Sequence, residues 1–274
     1  MILRCGRQTL DLSKPQVMGI VNVTPDSFSD GGQFADADAA ISYARRLRDE
    51  GAAIVDVGGE STRPGAAAVP EDVELARVLP VVEALAHDGA IVSVDTMKPG
   101  VIRAAIGAGA SMVNDVRALQ AHGAIEAVAA SDAAVCLMHM QGEPRSMQAE
   151  PQYVDVVAEV AAFLRERARA CEAGGIARER IAVDPGFGFG KTVAHNLRLL
   201  RELRAIAGLG YPVVAGLSRK STLGALTGRA PGERLPASLA AALAAVAGGA
   251  AIVRVHDVRA TVDALCVWSA VQAV

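Results

Sequence analysis

The 274-residue chain has few cysteines, no surplus of either charge and no long uninterrupted apolar run, and each shortage removes a class of protein. Cys5, Cys136, Cys171 and Cys266 stand far apart without a CxxC pair. That pattern indicates neither a disulfide framework nor a structural zinc knot, and it fits a reducing, cytoplasmic setting. Lys and Arg number 27 against 30 Asp and Glu, a net charge of −3. No basic excess is present to hold a nucleic-acid backbone or an anionic membrane over a broad surface. Arg4 and Arg7 are followed by no long apolar stretch, so no signal peptide is evident. The uncharged run from Leu235 to Val253 approaches the about 20 residues of a membrane helix. Pro236 near its start and Gly248-Gly249 inside it point instead to a buried helix, a glycine turn and a short strand. With 51% apolar and 21% charged residues, the chain is not disordered either.

What is present is a repeated alternation. Short Val/Ile-rich runs fall at Val17–Val21, Ala53–Val57, Ala90–Val94, Ser111–Val113, Ala134–Met138, Ile181–Val183, Pro212–Ala215 and Ala251–Val255. Between them, richer Ala/Leu/Arg/Glu stretches predict helices near 36–50, 70–87, 98–108, 121–130, 152–174, 194–208, 236–247 and 257–270. Asp36 or Asp38 would cap the first of these. The strands are continuous apolar runs, as expected of parallel strands covered on both faces. Eight strand–helix units predict an α/β fold, a single-domain (β/α)8 TIM barrel. The competitor is an open doubly wound sheet, which usually opens on a Gly-rich phosphate turn. Neither GxGxxG nor GxxxxGK[ST] occurs. Residues 1–16 are set apart as an N-terminal extension or hairpin closing the barrel bottom, with residues 17–274 forming the barrel.

Polar residues gather where these strands end. Asn22 follows strand one, Asp56 lies in strand two, Asp95-Thr96 ends strand three and Asn114-Asp115 strand four. Met138-His139, Asp184, Ser218-Arg219-Lys220 and Arg254/His256/Asp257 mark the remaining four. A barrel would bring all eight to one rim, where barrel active sites lie. Singly, Asp115, Asp257 or Thr96 has an equally good reading as a turn or cap residue. Taken together, Asp56, Asp95, Asn114 and Asp184 offer acceptors for a flat heterocycle, while Arg63, Arg219, Lys220, Arg254 and His256 offer cations for an anion. A nucleotide or another phosphorylated heterocycle satisfies that description equally. No HExxH or other close ligand pair exists. Oxygen donors near Asn22 would suit a hard ion such as Mg2+ shared with substrate phosphates. The glycine-bearing loops 21–32 and 58–69 read as rim lids.

Two long runs carry a resemblance. Met18-Gly19-Ile20-Val21-Asn22-Val23-Thr24-Pro25-Asp26-Ser27-Phe28-Ser29-Asp30-Gly31-Gly32 and Asp56-Val57-Gly58-Gly59-Glu60-Ser61-Thr62-Arg63-Pro64-Gly65 resemble the two signatures of the dihydropteroate synthase family. Shorter segments follow in family order, among them Asp184-Pro185-Gly186-Phe187-Gly188-Phe189-Gly190-Lys191 and Gly216-Leu217-Ser218-Arg219-Lys220-Ser221. The resemblance implies a transferase of folate biosynthesis that condenses 6-hydroxymethyl-7,8-dihydropterin diphosphate with 4-aminobenzoate, uses Mg2+, is inhibited by sulfonamides and forms a homodimer. It implies pterin contacts from Asp95, Asn114, Met138, Asp184, Gly216 and Lys220. Diphosphate contacts would come from Asn22, Thr62, Arg63, Arg254 and His256, with Asn22 also placing the metal. Phe28, Thr62, Arg63, Pro64, Phe189, Lys220 and Ser221 would shape the aminobenzoate pocket. Catalysis would fall to Asp95, Lys220, Arg254, His256 and Arg63. The rivals are a methyltransferase-type pterin barrel, disfavoured by the two signature loops, and a silent paralogue that binds pterin without turnover.

Overall fold

Continuous apolar strands need cover on both faces, and this chain supplies it with side chains inside a barrel and helices outside. The structure is a computed structural model that describes residues 1–24, 32–61, 68–142, 147 and 151–273, the side chains of 32–36 excepted. The chain begins with β1 (Ile2–Cys5), β2 (Gln8–Asp11), β3 (Gln16–Asn22), α1 (Gly32–Asp49), β4 (Ile54–Gly58), α2 (Glu71–His87) and β5 (Val92–Asp95). It continues through α3 (Pro99–Gly107), β6 (Met112–Asp115), α4 (Ala124–Ala129), β7 (Ala134–Met138), α5 (Val156–Ala173) and β8 (Ile181–Asp184). The last third holds α6 (Val193–Arg201), α7 (Arg204–Ala207), β9 (Val214–Ala215), α8 (Ser221–Thr227), α9 (Leu235–Ala247), β10 (Ile252–Val255) and α10 (Val258–Gln272).

Strands β3 to β10 form one parallel sheet in the order β8-β7-β6-β5-β4-β3-β10-β9. A parallel bridge between Val183 and Val213 joins its two ends, with Val183 N–H donating to Pro212 O at 2.9 Å. This is the expected (β/α)8 barrel. Period-2 alternation sorts its side chains into two cores. Val55, Val57, Val92, Val94, Val113, Val135 and Val183 pack outward against the helices. Met18, Ile54, Ile91, Met112, Ala134, Ala182, Val214 and Ile252 point inward near the strand starts.

The antiparallel β1–β2 hairpin closes on that inner group. Its buried Leu3, Cys5, Leu10 and Leu12 belong to the same cluster, so the hairpin plugs the barrel at the N-terminal ends of the strands.

The helices depart from expectation in four places. The helix expected over 194–208 is two, because the chain bends at Glu202–Leu203 and buries Leu203 against Gly248 at the end of α9. Helix α8 was not anticipated, its seven residues being too short for a periodic signal. Asp36 and Asp38 do not cap α1, which already starts at Gly32. The longest helix expected, 152–174, begins only at Val156, where the Asp155 carboxylate accepts from the Val157 and Ala158 N–H groups. Three of the four cysteines are buried, whereas Cys266 is exposed on α10. Among the described residues, no helix is long and apolar enough to cross a membrane.

Leu3→Ala is expected to destabilise the protein by about 2–4 kcal/mol, the range for a truncated, fully buried leucine. Its urea midpoint should drop with little change in ligand affinity, because the hairpin lies at the end of the barrel away from the polar rim.

Candidate active site

The inward parity that is apolar near the strand starts becomes polar two residues later. Ile54 is followed by Asp56, Met112 by Asn114, Ala182 by Asp184 and Ile252 by Arg254. By the same alternation Asn22, Asp95, Met138 and Gly216 face inward at the strand ends. The barrel thus gathers into one mouth groups spread over some two hundred positions of sequence.

Asp56 is fully buried and its Oδ2 accepts from two neighbours. One is Arg254 Nε at 2.6 Å and the other Asn114 Nδ2 at 3.1 Å. Arg254 Nη2 donates to Asp95 Oδ2 at 2.8 Å. Arg254 is therefore forked between two carboxylates, with its side chain 20% exposed. Its Nη1 has no partner among the described residues and is the donor left for a ligand. Asp56 Oδ2 thus orients Arg254 and Asn114, while its Oδ1 is buried with no hydrogen-bond partner among the described residues.

Asp184 Oδ1 accepts from Gly186 N–H at 2.7 Å, and Met138 is its register partner on β7. Lys220 Nζ donates to Phe187 O and stands 4.7 Å from the centre of the Phe189 ring. A Cβ on Gly216 would lie 3.8 Å from Arg254 Cβ and 3.9 Å from Lys220 Nζ. Gly216 therefore separates the two cations, and a side chain there would press on both. Asn22 is paired with Gly58, where a Cβ would meet Asp95 Cβ at 3.4 Å. The His256 N–H donates to Ser218 Oγ, and Nδ1 lies 3.0 Å from the same hydroxyl. The Ser218 hydroxyl thereby fixes the orientation of the His256 ring. Ser221 is the first residue of α8 and is exposed. The structure thus brings Asn22, Asp95, Asn114, Met138, Asp184, Gly216, Lys220 and Arg254 to one mouth, with Phe189 beside Lys220. Phe28, Thr62, Arg63 and Pro64 lie outside the described residues.

Other rim residues have different work. Arg219, counted among the anion-binding cations, is instead paired with Asp257, its Nε 3.0 Å from Oδ2. Asp115 shapes the turn after β6, accepting from Arg117 N–H at 2.7 Å and Leu119 N–H at 2.9 Å. Glu60 accepts from Val69 N–H at 3.1 Å and meets Lys98 at 2.5 Å. Lys98 also contacts the buried Glu74, so one ammonium ties the two ends of the 61–69 segment to α2 and α3. Sequence reading did not single out Lys98 or Glu74, since neither lies at a strand end with an unusual neighbour.

Burial lifts Asp95 from the usual carboxylate range to about 7; the Arg254 guanidinium opposes the rise and Asp56 adds to it. Burial likewise raises Asp184, against the pull of Lys220, and lowers Lys220 to about 8, against the pull of Asp184. For Arg254 burial acts to lower the value, but Asp56 and Asp95 outweigh it and the guanidinium holds its proton more tightly than usual. Buried carboxylates raised in this way in a polar mouth mark a working site.

Residues 18–256 match the family model of pterin binding enzymes. The chain belongs to this family. Within it, the dihydropteroate synthase of Haemophilus influenzae is 51% identical over 271 residues, covering 98% of each chain. The solved Xanthomonas albilineans dihydropteroate synthase with 4-aminobenzoic acid is 55% identical, with a TM-score of 0.95, over 100% of this chain and 98% of that one. The Burkholderia cenocepacia dihydropteroate synthase with 7,8-dihydropteroate is 52% identical, with a TM-score of 0.91, over 99% and 96%. This pterin-binding enzyme is thus a homologue of the dihydropteroate synthases along nearly its whole length.

Since the folded-state value of Asp95 lies above the roughly 3.9 of an unfolded chain, the native protein binds more protons between the two. Stability is expected to fall as pH rises from about 4 to about 7, with Asp115, raised by burial to about 6, contributing to the lower part. Urea titrations across that range should show a flatter profile for Asp95→Asn. Carboxyl 13C NMR should find Asp95 titrating near 7, and higher still in Arg254→Gln, where the opposing guanidinium is gone.

Proposed function

We infer that the chain is a dihydropteroate synthase: it condenses 6-hydroxymethyl-7,8-dihydropterin diphosphate with 4-aminobenzoate to give 7,8-dihydropteroate and diphosphate. The observation that carries this is the single mouth in which Asp95, Asn114 and Asp184 stand against Arg254 and Lys220, in a chain of this family. A pterin ring presents a row of N–H and amino donors. Asp184, with Oδ1 held by Gly186 N–H, has Oδ2 left to accept from it. Asn114, its amide nitrogen spent on Asp56, turns its carbonyl oxygen to the ring. Met138 lies beside Asp184 as an apolar contact for the ring face.

The reaction needs a leaving group stabilised more than a nucleophile made. The C–O bond between the pterin methylene and the diphosphate breaks, and diphosphate departs with the electron pair. The methylene cation is shared with the electron-rich pterin ring, and the Asp95 carboxylate is its nearest counter-charge. Arg254, held rigid by its two carboxylates, directs Nη1 at the diphosphate, and the His256 ring, oriented by Ser218, serves the same end. The neutral arylamine then attacks carbon and loses one proton, which balances the equation without a covalent intermediate. Lys220 and the Phe189 ring form one wall for aminobenzoate, with Ser221 at its edge. Thr62, Arg63, Phe28 and Pro64 complete the diphosphate and aminobenzoate sides in this reading. Competition by sulfonamides at the aminobenzoate wall and a homodimeric state belong to it as well.

Asn22 fits Mg2+ as one oxygen donor among several. It is half-buried at the strand end, separated from Asp95 by Gly58 alone in the strand register, and a magnesium ion takes most of its remaining oxygens from water and substrate phosphates. When bound there, the ion would neutralise charge on the departing diphosphate.

Diphosphate release should depend on aminobenzoate and match dihydropteroate formation one to one; release without product, or none from a folded protein, would refute the reading. Asp184→Asn is expected to weaken pterin binding by about 1.5–3 kcal/mol through loss of a charge-assisted acceptor, as measured by calorimetry. Arg254→Ala should weaken binding of the pterin diphosphate more than that of a pterin lacking diphosphate. Equal losses for both ligands would make Arg254 purely structural.

A further inference from the structure

Beneath the mouth lies a buried cation that the reaction does not use. Lys191 follows the glycine-rich turn after β8 and is only 2% exposed. Its ammonium contacts Gly186 O at 2.9 Å, Phe189 O at 3.0 Å, His139 Nδ1 at 2.9 Å and, more distantly, His139 O at 3.4 Å. No carboxylate touches it among the described residues. Burial lowers Lys191 to about 7 against the more distant pull of Asp184; burying such a group is costly, and an apolar side chain of similar volume would serve stability at least as well. What a hydrophobe could not do is orient carbonyl groups.

The residues around Lys191 show which carbonyls matter. Gly186, Gly188 and Gly190 have φ of +67°, +80° and +60°. A Cβ on Gly186 would fall 1.9 Å from His139 O, and one on Gly190 would fall 2.3 Å from Gln141 O. The 186–190 turn therefore lies flat against the backbone after β7, an approach open only to glycine. Lys191 draws the Gly186 and Phe189 carbonyls to the inside. Tyr153 Oη donates to Gly190 O at 2.8 Å, and Gly188 N–H donates to Asn196 Oδ1 at 2.8 Å. Phe187 O, the carbonyl left between these anchors, is the one that Lys220 holds. Phe189, whose own carbonyl is on Lys191, supplies the ring beside the Lys220 ammonium. His139 must be neutral to offer Nδ1 as an acceptor, and burial together with Lys191 pushes its value down to about 3.

We propose that Lys191 is a positioning residue for the aminobenzoate side of the site: its ammonium locks the 186–190 turn and through that turn sets the place of Lys220 and Phe189. The proposal rests on the dihydropteroate synthase reading above and deepens it. Of the pterin acceptors, Asp95 and Asn114 stand on strands away from the turn, and Asp184, at the end of β8, meets it only through the Gly186 N–H on Oδ1, so most of the pterin's hold survives when the turn relaxes. The consequence is a separation of the two substrates. Lys191 acts on aminobenzoate far more than on pterin.

The test compares the wild-type enzyme with Lys191→Met and Tyr153→Phe. In Lys191→Met the KM for aminobenzoate should rise about 10-fold or more, because small displacements of positioning groups carry large kinetic penalties. The Kd for a pterin lacking diphosphate, measured by calorimetry without turnover, should stay within about 3-fold on the same ground. Tyr153→Phe, which removes a single anchor of the same turn, should move the aminobenzoate KM in the same direction by a smaller factor. An unchanged aminobenzoate KM in folded Lys191→Met, or equal losses for both ligands, would overturn the proposal. If Lys191→Met does not fold, an unchanged KM in Tyr153→Phe overturns it instead. A wild-type protein that binds the pterin but shows no aminobenzoate-dependent turnover would strike the activity reading, a result distinct from any of these.

Discussion

The Asp56 carboxylate is the contact on which the mouth of this barrel depends. It sits fully buried between strands and takes both the Arg254 guanidinium and the Asn114 amide on one oxygen. Closing eight parallel strands into a ring forces the inward side chains of each layer together, so a polar upper layer must balance its own charge. Asp56 and Asp95 divide Arg254 between them, while Asp184 and Lys220 perturb each other across the same space. Breaking one member leaves another charge buried without its partner, which is why these residues act as a unit.

Below that layer the chain spends its polarity sparingly. The lower interior is Met, Ile, Val and Ala, and the β1–β2 hairpin seals it with leucines. Stability and chemistry are thereby assigned to opposite ends of the strands. The same division explains the small residues at the mouth: Gly58 and Gly216 leave room beside Asp95 and between the two cations. On the turn after β9, Arg234 donates to the Arg219 and Lys220 carbonyls, passing close over Gly224. Lys220 is thus supported from both sides, by that turn and by the 186–190 turn that receives its ammonium.

The geometry suits a substitution in which the leaving group matters more than the nucleophile. It contains fixed cations, buried carboxylates raised above their usual range at Asp95 and Asp184, and an imidazole oriented by a serine, and it requires no strong base. Arg254 illustrates the economy of the arrangement. Two of its nitrogens are used to hold it still, and the third is what it has to offer a ligand.

Much of this was legible in the chain itself. Val/Ile runs separated by helical stretches determined the eight-unit barrel, since strand periodicity and covered faces are local properties of sequence. The residues Asp95, Asn114, Asp184 and Arg254 stood out for a related reason: a polar residue on the inward parity of an apolar strand is a visible exception, and Lys220 stood out in the polar run that follows β9. The family was legible in the two signature runs around Asn22 and Asp56. Tertiary structure alone decided what each polar group does. Asp56 and Arg254 are 198 positions apart, and only barrel closure shows that one oxygen of Asp56 orients Arg254. Arg219 looked equivalent to Lys220 until its backbone turned it toward Asp257. Lys191 looked like the tail of a glycine motif until the turn folded back over its ammonium. A pairing between distant charges costs the local sequence nothing to write, so it leaves no periodic trace, and the packed fold alone selects which partners meet.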